Sequence, residues 1–358
     1  TKGTCKGFKS GLALAFDGTC SGLQHFSAIL RDEIGGAAVN LIPSEKVQDI
    51  YSIVAKKVND VLLSDAVKGE NDTQKTDKDG YVKKNSDGSV AIKYGSKTLA
   101  QNWIVFNREK FGQDGITRKV CKRSVMTLAY GSKQYGFKEN LLTDIIRPYV
   151  LANPETSPFV NPTQAAVYMA GLIWDAVSTT VVKAVEGMKW LQEIAGMICD
   201  NSRVVTWVTP NGLPVQQNYM VEEQKTVQLR FNGARVRFYT REVTGNIDTR
   251  AQRNGISPNF IHSMDACHLQ RVVVAEHEKG NRNFAMIHDS FGTDIAHAGQ
   301  LYKTIREEFI GLYKDQNHLE AFLNSVRYLI ADDAEIPDIP KFGTLDIGLI
   351  AHSDFCFA

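Results

Sequence analysis

The sequence predicts an α+β protein with short strands near both ends of the chain and helices through most of its middle. Brief apolar runs occur at residues 11–16 and 284–287, and each is followed within two residues by an aspartate. Such runs are typical of short strands that are buried. Between them, apolar side chains recur at helical spacing, until residues 203–240 change to strand-like patterns bounded by turn residues.

The N-terminal part begins with the strand pattern of residues 11–16, which stops at Asp17-Gly18, and residues 19–30 then predict a helix. Ser44 follows Pro43 and suits an N-cap, so it predicts the start of an amphipathic helix. The expected apolar stripe of that helix consists of Val47, Ile50, Tyr51, Val54, Val58 and Val61.

A polar excursion interrupts the helices. From Ser64 to Gly95 the composition shifts to Lys, Asp, Asn and Gly. Within it, residues 81–94 predict a small hairpin whose turn lies at residues 85–88. We expect this segment to be exposed to solvent.

Residues 118–131 contain no proline and only good or neutral helix formers before Gly131, which predicts a helix. Arg118 and Lys122 would share one face, and Tyr130 would lie two turns beyond Lys122. Two cations at one end and an aromatic ring at the other match a nucleoside triphosphate, because arginine and lysine suit phosphate and tyrosine offers a stacking surface. An amphipathic surface helix with solvated charges would explain the same spacing.

The second half starts with a long helical stretch, residues 163–199, which we expect to be interrupted at Gly171 and Gly187. Strands are then predicted at residues 203–209, 226–231 and 234–240, and Asn232-Gly233 between the last two is a strong type I′ turn signal. The remaining expected elements are a helix at 257–278, strands at 284–287 and 291–295, and a helix at 301–313.

Bulk properties exclude few functions. With 358 residues the chain can form two or more structural units, and a net charge of +1 neither supports nor excludes a nucleic-acid partner. Six scattered cysteines without a Cys-x-x-Cys pair favour a reducing, cytosolic setting over a disulfide scaffold or zinc site. No signal peptide is expected, and the most apolar window, residues 165–182, contains Asp175, which favours a buried helix over a membrane span.

Asp17 and Asp289 each follow a short apolar strand and precede small or turn-forming residues. If the two strands lie side by side in one sheet, both carboxylates reach the same edge. Two carboxylates there could hold two Mg²⁺ ions around a phosphoryl-transfer centre. Aspartates also cap turns frequently, and that alternative stays open for each residue taken alone.

Three motifs resemble the polymerase motifs of the single-subunit, bacteriophage-type DNA-directed RNA polymerases, and they occur in that family's order. They are Asp17-Gly-Thr-Cys-Ser-Gly-Leu-Gln-His25, Arg118-x₃-Lys122-x₇-Tyr130-Gly131, and Ile287-His-Asp289-Ser-Phe-Gly292. Residues 258–263 and the ending Asp354-Phe-Cys-Phe-Ala358 also resemble that family. The resemblance covers nearly the whole chain but corresponds only to the C-terminal part of such polymerases.

The resemblance implies a right-hand polymerase fold with a palm sheet and mostly helical fingers. The palm would comprise residues 1–45 and part of residues 265–358, which would also contain a C-terminal foot. Fingers would comprise 46–264, including the nucleotide-binding helix at about 118–131 and a basic β-hairpin specificity loop at about 219–248.

The resemblance also implies roles for single residues. Asp17 and Asp289 would be the catalytic, metal-binding aspartates, assisted by the carbonyl of Gly18. Lys122 would contact the triphosphate and donate a proton to pyrophosphate, with Arg118 as a second phosphate ligand. The remaining implied nucleotide contacts are Tyr130, which would help choose ribose over deoxyribose, and His262, near the 2′-hydroxyl of the incoming nucleotide.

Two further features bear on nucleic acid. Related DNA polymerases carry a glutamate shortly after the first catalytic aspartate, which excludes a 2′-hydroxyl, whereas Asp17 is followed by Gly-Thr-Cys-Ser-Gly-Leu. The hairpin resembles the loop that enters the promoter major groove, where arginine reads guanine. Alternation along its strands makes Gln228, Arg230, Arg235 and Arg237 candidates for DNA contact. A solvated hairpin that only touches phosphates is the alternative.

The expected function is therefore template-directed addition of ribonucleotides to an RNA 3′ end, starting from phage promoters. The expected partners are double-stranded promoter and template DNA, nascent RNA, ribonucleoside triphosphates and a missing N-terminal polymerase portion, with no membrane. The expected location is the cytoplasm of the infected bacterial host. One alternative is a related DNA polymerase. Another is a nucleic-acid-binding fragment that is inactive without its N-terminal portion, since the chain begins Thr-Lys-Gly without methionine.

Overall fold

A computed structural model describes residues 11–358, which form two compact units. The carboxylate unit, named for Asp17 and Asp289, contains the described residues up to Gly36, Asn40–Glu45 and Lys183–Ala358. The helical unit contains Ala37–Val39 and Lys46–Val182. Residues 183–264, which the resemblance assigned to the fingers, thus pack within the carboxylate unit, and the assignment of palm and fingers stays a prediction. Cys5 lies outside the described residues.

Helices and strands occur largely in separate runs along the chain, which agrees with the predicted α+β class. The strands are β1 (Leu14–Asp17), β2 (Thr73–Gln74), β3 (Ile92–Lys93), β4 (Val205–Val208), β5 (Pro214–Gln217), β6 (Met220–Phe231), β7 (Ala234–Ile247), β8 (Ala285–Ile287) and β9 (Ser290–Thr293). The helices are α1 (Ser21–Leu30), α2 (Glu33–Ala38), α3 (Ile50–Lys68), α4 (Ser96–Phe111), α5 (Arg118–Leu128), α6 (Gln134–Leu141), α7 (Arg147–Ala152), α8 (Pro162–Ser178), α9 (Val182–Asp200), α10 (Thr249–Glu278), α11 (Ala298–Tyr313) and α12 (His318–Val326). A π-helical turn (Leu142–Ile146) joins α6 to α7, and 3₁₀ turns lie at Arg327–Leu329 and Ile347–His352.

The carboxylate unit is built on an antiparallel three-stranded sheet with the order β1-β9-β8. Its middle strand β9 is mostly buried, whereas β1 and β8 are edge strands with largely exposed side chains. The prediction that both apolar runs are buried strands is therefore wrong for these residues. Behind the sheet, the rings of Phe291, Phe309 and Phe357 surround His268 at centroid distances of 5.1–5.4 Å.

The helical unit packs α3, α4, α5, α6 and α8 around an aromatic centre. Trp103 and Phe106 are buried and pack against Phe159, with ring centroids 5.1 and 5.3 Å from that ring. The indole of Trp103 donates to the carbonyl of Ala165 at 3.0 Å, which satisfies its polar group in the core. Within the predicted polar hairpin of residues 81–94, Lys84 and Val90 form a bridge around the turn. The two-stranded ladder instead pairs β3 with β2, which lies before the predicted range.

The first long helix begins later than predicted. Asp49, not Ser44, is its N-cap, and the Asp49 side chain accepts the amide of Tyr51 at 3.2 Å and the hydroxyl of Ser52 at 2.6 Å. The predicted apolar stripe is buried between Ile50 and Val58, but Val47 and Val61 are 62% and 45% exposed. Val47 is exposed because it precedes the helix and therefore does not follow its period.

The long helical stretch breaks at residues 179–181 rather than at its glycines. The hydroxyls of Thr179 and Thr180 donate to the carbonyls of Asp175 and Ala176 at 2.9 and 2.7 Å, at the end of α8. Gly187 instead lies inside α9, where a Cβ would approach Leu30 of α1 to 2.8 Å. That glycine therefore permits close helix packing. No single helix among residues 11–358 is long and apolar enough to span a membrane; only α8 and α9 taken together reach that composition.

The basic hairpin predicted at about residues 219–248, called the basic ribbon below, is formed by the long, exposed strands β6 and β7. Asn232 and Gly233 have φ angles of 49° and 79°, which is the left-handed conformation that a type I′ turn requires at both central positions. The ladder closes at its base, where the amide of Asp248 donates to the carbonyl of Tyr219 at 3.1 Å. The predicted turn is confirmed, and the two strands extend beyond the predicted residues 226–231 and 234–240. The assignment of this hairpin as a specificity loop stays a prediction.

Candidate active site

Asp17 and Asp289 lie next to each other at one end of the three-stranded sheet. Asp17 ends β1 and pairs with Ser290, the first residue of β9, while Asp289 belongs to the two-residue turn between β8 and β9. The amide of Gly18 donates to the carbonyl of Asp289 at 3.0 Å. We expected the strands that precede the two aspartates, β1 and β8, to be neighbours, but β9 lies between them. The aspartates are adjacent because β9 starts directly after Asp289.

The charges at this site favour a bound cation. Burial, and then the neighbouring charge of Asp17, raise the pKa of Asp289 above its ordinary value. A cation would offset both effects, and Mg²⁺ needs only one or two carboxylates beside water and substrate oxygens. The carbonyl of Gly18 accepts the amide of Cys20 at 3.1 Å and keeps a second lone pair for a metal. Among residues 11–358 no group of three or more His, Cys, Asp or Glu side chains is placed to hold a metal.

The backbone beside the aspartates is tightly turned. Cys20 and His288 have φ angles of 60° and 54°, a conformation that is uncommon for residues other than glycine. At His288, the first position of a two-residue hairpin turn, a positive φ suits the twist of the strands. Gly18 has little free space, since a Cβ there would lie 3.0 Å from Gln24 Oε1 and 3.3 Å from Asp289 Oδ2.

The C-terminal residues form part of the site, a contact that the motifs alone did not reveal. The amide of Asp17 donates to the carbonyl of Ala358, and the amide of Ala358 donates to the carbonyl of Asp17, both at 3.3 Å. Gly18 forms a bridge with Phe357. Residues 357–358 therefore pair with β1 at Asp17. The resemblance of residues 354–358 to the family was the available signal, but it named no pairing partner.

A buried polar network lies beneath the aspartates and was also missed. Asp265 of α10 accepts the hydroxyl of Ser21 at 2.6 Å and Nε2 of His25 at 3.1 Å. The other ring nitrogen of His25 lies 2.5 Å from the hydroxyl of Tyr313 on α11. The pKa of Asp265 falls to about 2, because these bonds and the nearby His25 outweigh its burial. The network joins α1, which follows Asp17, to α10 and α11.

His262 and His268 have different environments on α10. His268 is fully buried and its Nε2 donates to the carbonyl of Ile305 at 2.8 Å. His262 lines a cavity of about 480 Å³ together with Tyr219, Asn259 and other residues of β5 and α10. Burial lowers the pKa of His262, partly opposed by the charge of Asp265. A neutral imidazole suits a hydrogen bond to a hydroxyl group.

In the helical unit, the predicted phosphate ligands lie on α5. Arg118 donates through Nε to Asp49 at 2.7 Å, and its guanidinium lies 5.4 Å from the ring centroid of Tyr51. Lys122 is one turn further along and exposed. Tyr130, which is 37% exposed, was expected on the helix but lies beyond it.

The helix ends at Leu128 because the chain tightens there. The amide of Tyr130 donates to the carbonyl of Thr127 at 3.2 Å, and the amide of Gly131 to that of Leu128 at 2.9 Å. Gly131 then adopts a φ of 81°, the left-handed conformation that commonly ends helices.

The four predicted DNA contacts share one face of the hairpin. Gln228 pairs with Arg237 and Arg230 with Arg235, and directly paired residues point to the same side of a sheet. All four are exposed. Nearer the base, acidic side chains neutralise part of the charge.

Two ion pairs account for that neutralisation: Lys225 pairs with Glu242, and Arg241 lies 3.6 Å from Glu222. The uncompensated positive charge of the ribbon is thus concentrated in its outer half.

Comparison with known proteins decides the family. A family model described as DNA-dependent RNA polymerase matches residues 2–334. The chain belongs to the DNA-dependent RNA polymerase family. It is 44% identical, over 98% of its length, to the DNA-directed RNA polymerase of Enterobacteria phage T3 and to the T7 RNA polymerase of Escherichia phage T7. It is also 31% identical, over 95% of its length, to the chloroplastic/mitochondrial DNA-directed RNA polymerase 2 of Arabidopsis thaliana.

The resemblance to phage-type RNA polymerases is thereby confirmed. The chain spans about 40% of the length of the two phage relatives. Of the predicted site residues, the structure brings together Asp17, Gly18 and Asp289, with His262 in the same unit. Arg118, Lys122 and Tyr130 belong to the helical unit, and their meeting with the aspartates stays a prediction.

Proposed function

We propose that this chain is the catalytic part of a DNA-directed RNA polymerase that adds ribonucleotides to an RNA 3′ end under the direction of a DNA template. The observation that carries the proposal is the adjacency of Asp17 and Asp289 across β1 and β9, in a chain of this family. Burial, and then the charge of the adjacent Asp17, raise the pKa of Asp289, so a bound cation would stabilise its charged form.

Asp17, Asp289 and the carbonyl of Gly18 would hold the metal. Two Mg²⁺ ions bound there would supply charge neutralisation for the attacking 3′-hydroxyl and for the departing pyrophosphate. The protein's part is to hold carboxylates and substrate in place, and the extra pairing of Asp17 with Ala358 restrains the backbone that carries one carboxylate.

The side chains of α5 would bind the nucleotide. Arg118 and Lys122, one turn apart, would bind the triphosphate. Nζ of Lys122 would also donate a proton to the departing pyrophosphate. Tyr130 and His262 would contact the ribose of the incoming nucleotide and discriminate it from deoxyribose. The support for ribose is the run from Gly18 to Leu23, which contains no glutamate to exclude a 2′-hydroxyl.

The outer half of the hairpin would contact promoter DNA. A two-stranded ribbon fits the major groove. Gln228, Arg230, Arg235 and Arg237 all lie on one exposed face, which supports their contact with base edges or phosphates. The remaining partners would be nascent RNA, ribonucleoside triphosphates and the N-terminal portion that the phage relatives possess. The setting would be the cytoplasm of an infected bacterium.

The deciding experiment is primer extension by the complete polymerase that contains this chain, with Asp17→Asn and Asp289→Asn compared with Asp333→Asn. Asp333 is exposed in the same unit and matches the change in charge. We expect both site variants to lose extension and the control to retain it. Extension that persists in Asp289→Asn would reject the metal site.

Substrate choice is tested in the same reaction. Incorporation of deoxyribonucleotides in preference to ribonucleotides would show a DNA polymerase instead. Tyr130→Phe should weaken the discrimination between the two sugars while leaving extension intact, because only the hydroxyl is removed. Activity of this chain alone, then with the N-terminal portion added, shows whether the chain suffices.

A further inference from the structure

Arg306 of α11 has an unusual environment for an arginine. Only 3% of the residue is exposed, and among residues 11–358 no carboxylate forms an ion pair with it. Its donors bind backbone carbonyls instead, and burial lowers its pKa. A buried cation without an anionic partner is costly unless its donors are satisfied, so these carbonyl contacts require a structural or functional reason.

Three of the four carbonyls belong to the C-terminal segment that pairs with Asp17. Nε donates to Ser353 at 3.1 Å, and Nη2 donates to Asp354 and Phe357 at 3.3 and 3.2 Å. One planar guanidinium therefore holds residues 353–357, which we name the C-terminal clamp segment. Directly after it, Ala358 exchanges two backbone hydrogen bonds with Asp17.

A second set of contacts leads from Arg306 to the other side of the same aspartate. Nη1 donates to the carbonyl of Tyr302 at 2.9 Å, and the guanidinium lies over the Tyr302 ring, 3.6 Å from its centroid. The Tyr302 ring packs edge-on against Phe16 at a centroid distance of 5.6 Å. Phe16 is the residue immediately before Asp17. Arg306 is thus linked to Asp17 from two sides, directly through the clamp segment and indirectly through the ring of Tyr302, which packs on Phe16.

We propose that Arg306 is a positioning residue for catalysis, which fixes the backbone of Asp17 by holding the C-terminal clamp segment against β1. The inference rests on the proposed polymerase function for its catalytic consequence, but the clamp itself is a structural claim. Arginine suits the task because its rigid fork binds several carbonyls at once, whereas lysine offers a single point charge. Arg306 does not touch substrate in this arrangement; its effect passes through the segment it holds.

The first experiment compares Arg306→Met and Arg306→Lys with Arg271→Met in the complete polymerase. Arg271 lies on the neighbouring helix α10 and pairs with Glu308 of α11 at 2.9 Å, so its loss removes an arginine from α10–α11 packing without touching the clamp segment. We expect Arg306→Met to lower kcat by about 10²-fold, the cost of a ~1 Å misplacement of a catalytic group. The Mg²⁺ concentration for half-maximal activity should rise, while KM for nucleotides should stay within about twofold of the parent enzyme, since α5 is unchanged.

The double variant separates this mechanism from general destabilisation. Deleting Phe357 and Ala358 removes the pairing with Asp17, so Arg306→Met in the shortened chain should lower kcat little further than the deletion alone. Multiplied losses would show that Arg306 acts by another route and would overturn the proposal. Unchanged kcat and Mg²⁺ dependence in Arg306→Met would overturn it as well. Arg306→Lys, which retains the charge, should show a smaller loss and serves if the methionine variant fails to fold.

Carboxypeptidase digestion of a protein prepared to end at Ala358 supplies a readout that does not depend on catalysis. The parent protein and Arg271→Met should resist trimming, because Cys356 and Phe357 are buried. Arg306→Met should lose its last residues at least tenfold faster at a temperature where the fold persists. Equal trimming rates would reject the clamp even if activity fell. If Arg306→Met is trimmed faster but Asp289→Asn still extends a primer, the clamp is supported and the proposed polymerase site is rejected.

Discussion

Arg118 and Asp49 form an ion pair in which Nε of Arg118 donates to Oδ2 of Asp49 at 2.7 Å. The same carboxylate caps α3 by accepting the amide of Tyr51. The residue proposed to bind triphosphate is therefore held by an internal anion. If Arg118 binds the triphosphate as proposed, phosphate and Asp49 compete for one guanidinium, and we expect this pair to set part of the nucleotide affinity.

Replacing Asp49 with Asn should strengthen nucleotide binding. Asparagine caps a helix as well as aspartate does, so α3 keeps its start while Arg118 loses its anionic competitor. An exposed ion pair is worth ~0.2–1 kcal/mol, so KM should fall by about 1.5- to 5-fold with little change in kcat. The matched control is Asp114→Asn, which breaks the exposed pair with Arg108 in the same unit. A KM that is unchanged or increased in Asp49→Asn would contradict the competition.

Gly18→Ala should impair catalysis more than stability. The added Cβ would lie 3.3 Å from Oδ2 of Asp289 and 3.0 Å from Oε1 of Gln24, so the carboxylate must shift. Because small displacements of catalytic groups can cost ~10²-fold in rate, we expect kcat to fall by about 10- to 100-fold. Gly171→Ala, where a Cβ meets nothing within 4 Å, should stabilise α8 by about 0.5–1 kcal/mol. Single-turnover extension and thermal unfolding measure the two effects.

Acid should destabilise the carboxylate unit below neutral pH through His268. Burial, and then the nearby His25, lower the pKa of His268 to about 3, against 6.5 for an ordinary histidine. The folded-state pKa lies below the unfolded one, so the stabilisation is complete above about pH 6.5 and is lost as the pH falls toward 3. One such group contributes a slope of up to ~1.4 kcal/mol per pH unit. Asp265, with a pKa of about 2, adds a loss below about pH 4.

The urea midpoint of unfolding, followed by fluorescence between pH 7 and 4, measures this dependence. His268→Gln keeps a donor for the carbonyl of Ile305 but does not titrate, so its midpoint should vary less with pH. Some dependence should persist, since burial also lowers the pKa of His318. An identical pH dependence in His268→Gln and the parent protein would refute the assignment to His268.

The outer face of the hairpin should control promoter binding but not extension of a preformed primer. Arg235→Ala removes one exposed positive charge beside Arg230, and loss of a base contact costs ~1–3 kcal/mol, or about 5- to 150-fold in affinity. Lys225→Ala is the control, because Lys225 lies on the opposite face and is already paired with Glu242. Promoter binding at several salt concentrations distinguishes a phosphate contact from base reading. Equal weakening by both variants would show that the faces are not specialised.

The sequence by itself determined features that depend on neighbouring residues. Asn232-Gly233 specified a hairpin turn, because few other residue pairs tolerate positive φ at both positions. The three ordered motifs identified the family, and the apolar runs before Asp17 and Asp289 located two strands of the sheet. Such features need no distant partner, so the local pattern is sufficient to predict them.

The tertiary structure alone decided which distant groups meet. Ser44 and Asp49 both suit a helix N-cap, and the helix begins after Asp49, where the carboxylate also gains Ser52 and Arg118 as partners. Nothing near Asp17 indicates that Ala358 will pair with it, or that Arg306 will hold the residues before Ala358. These contacts join opposite parts of the chain. They are chosen by the burial and hydrogen bonding of the whole fold, which a local pattern of residues does not encode.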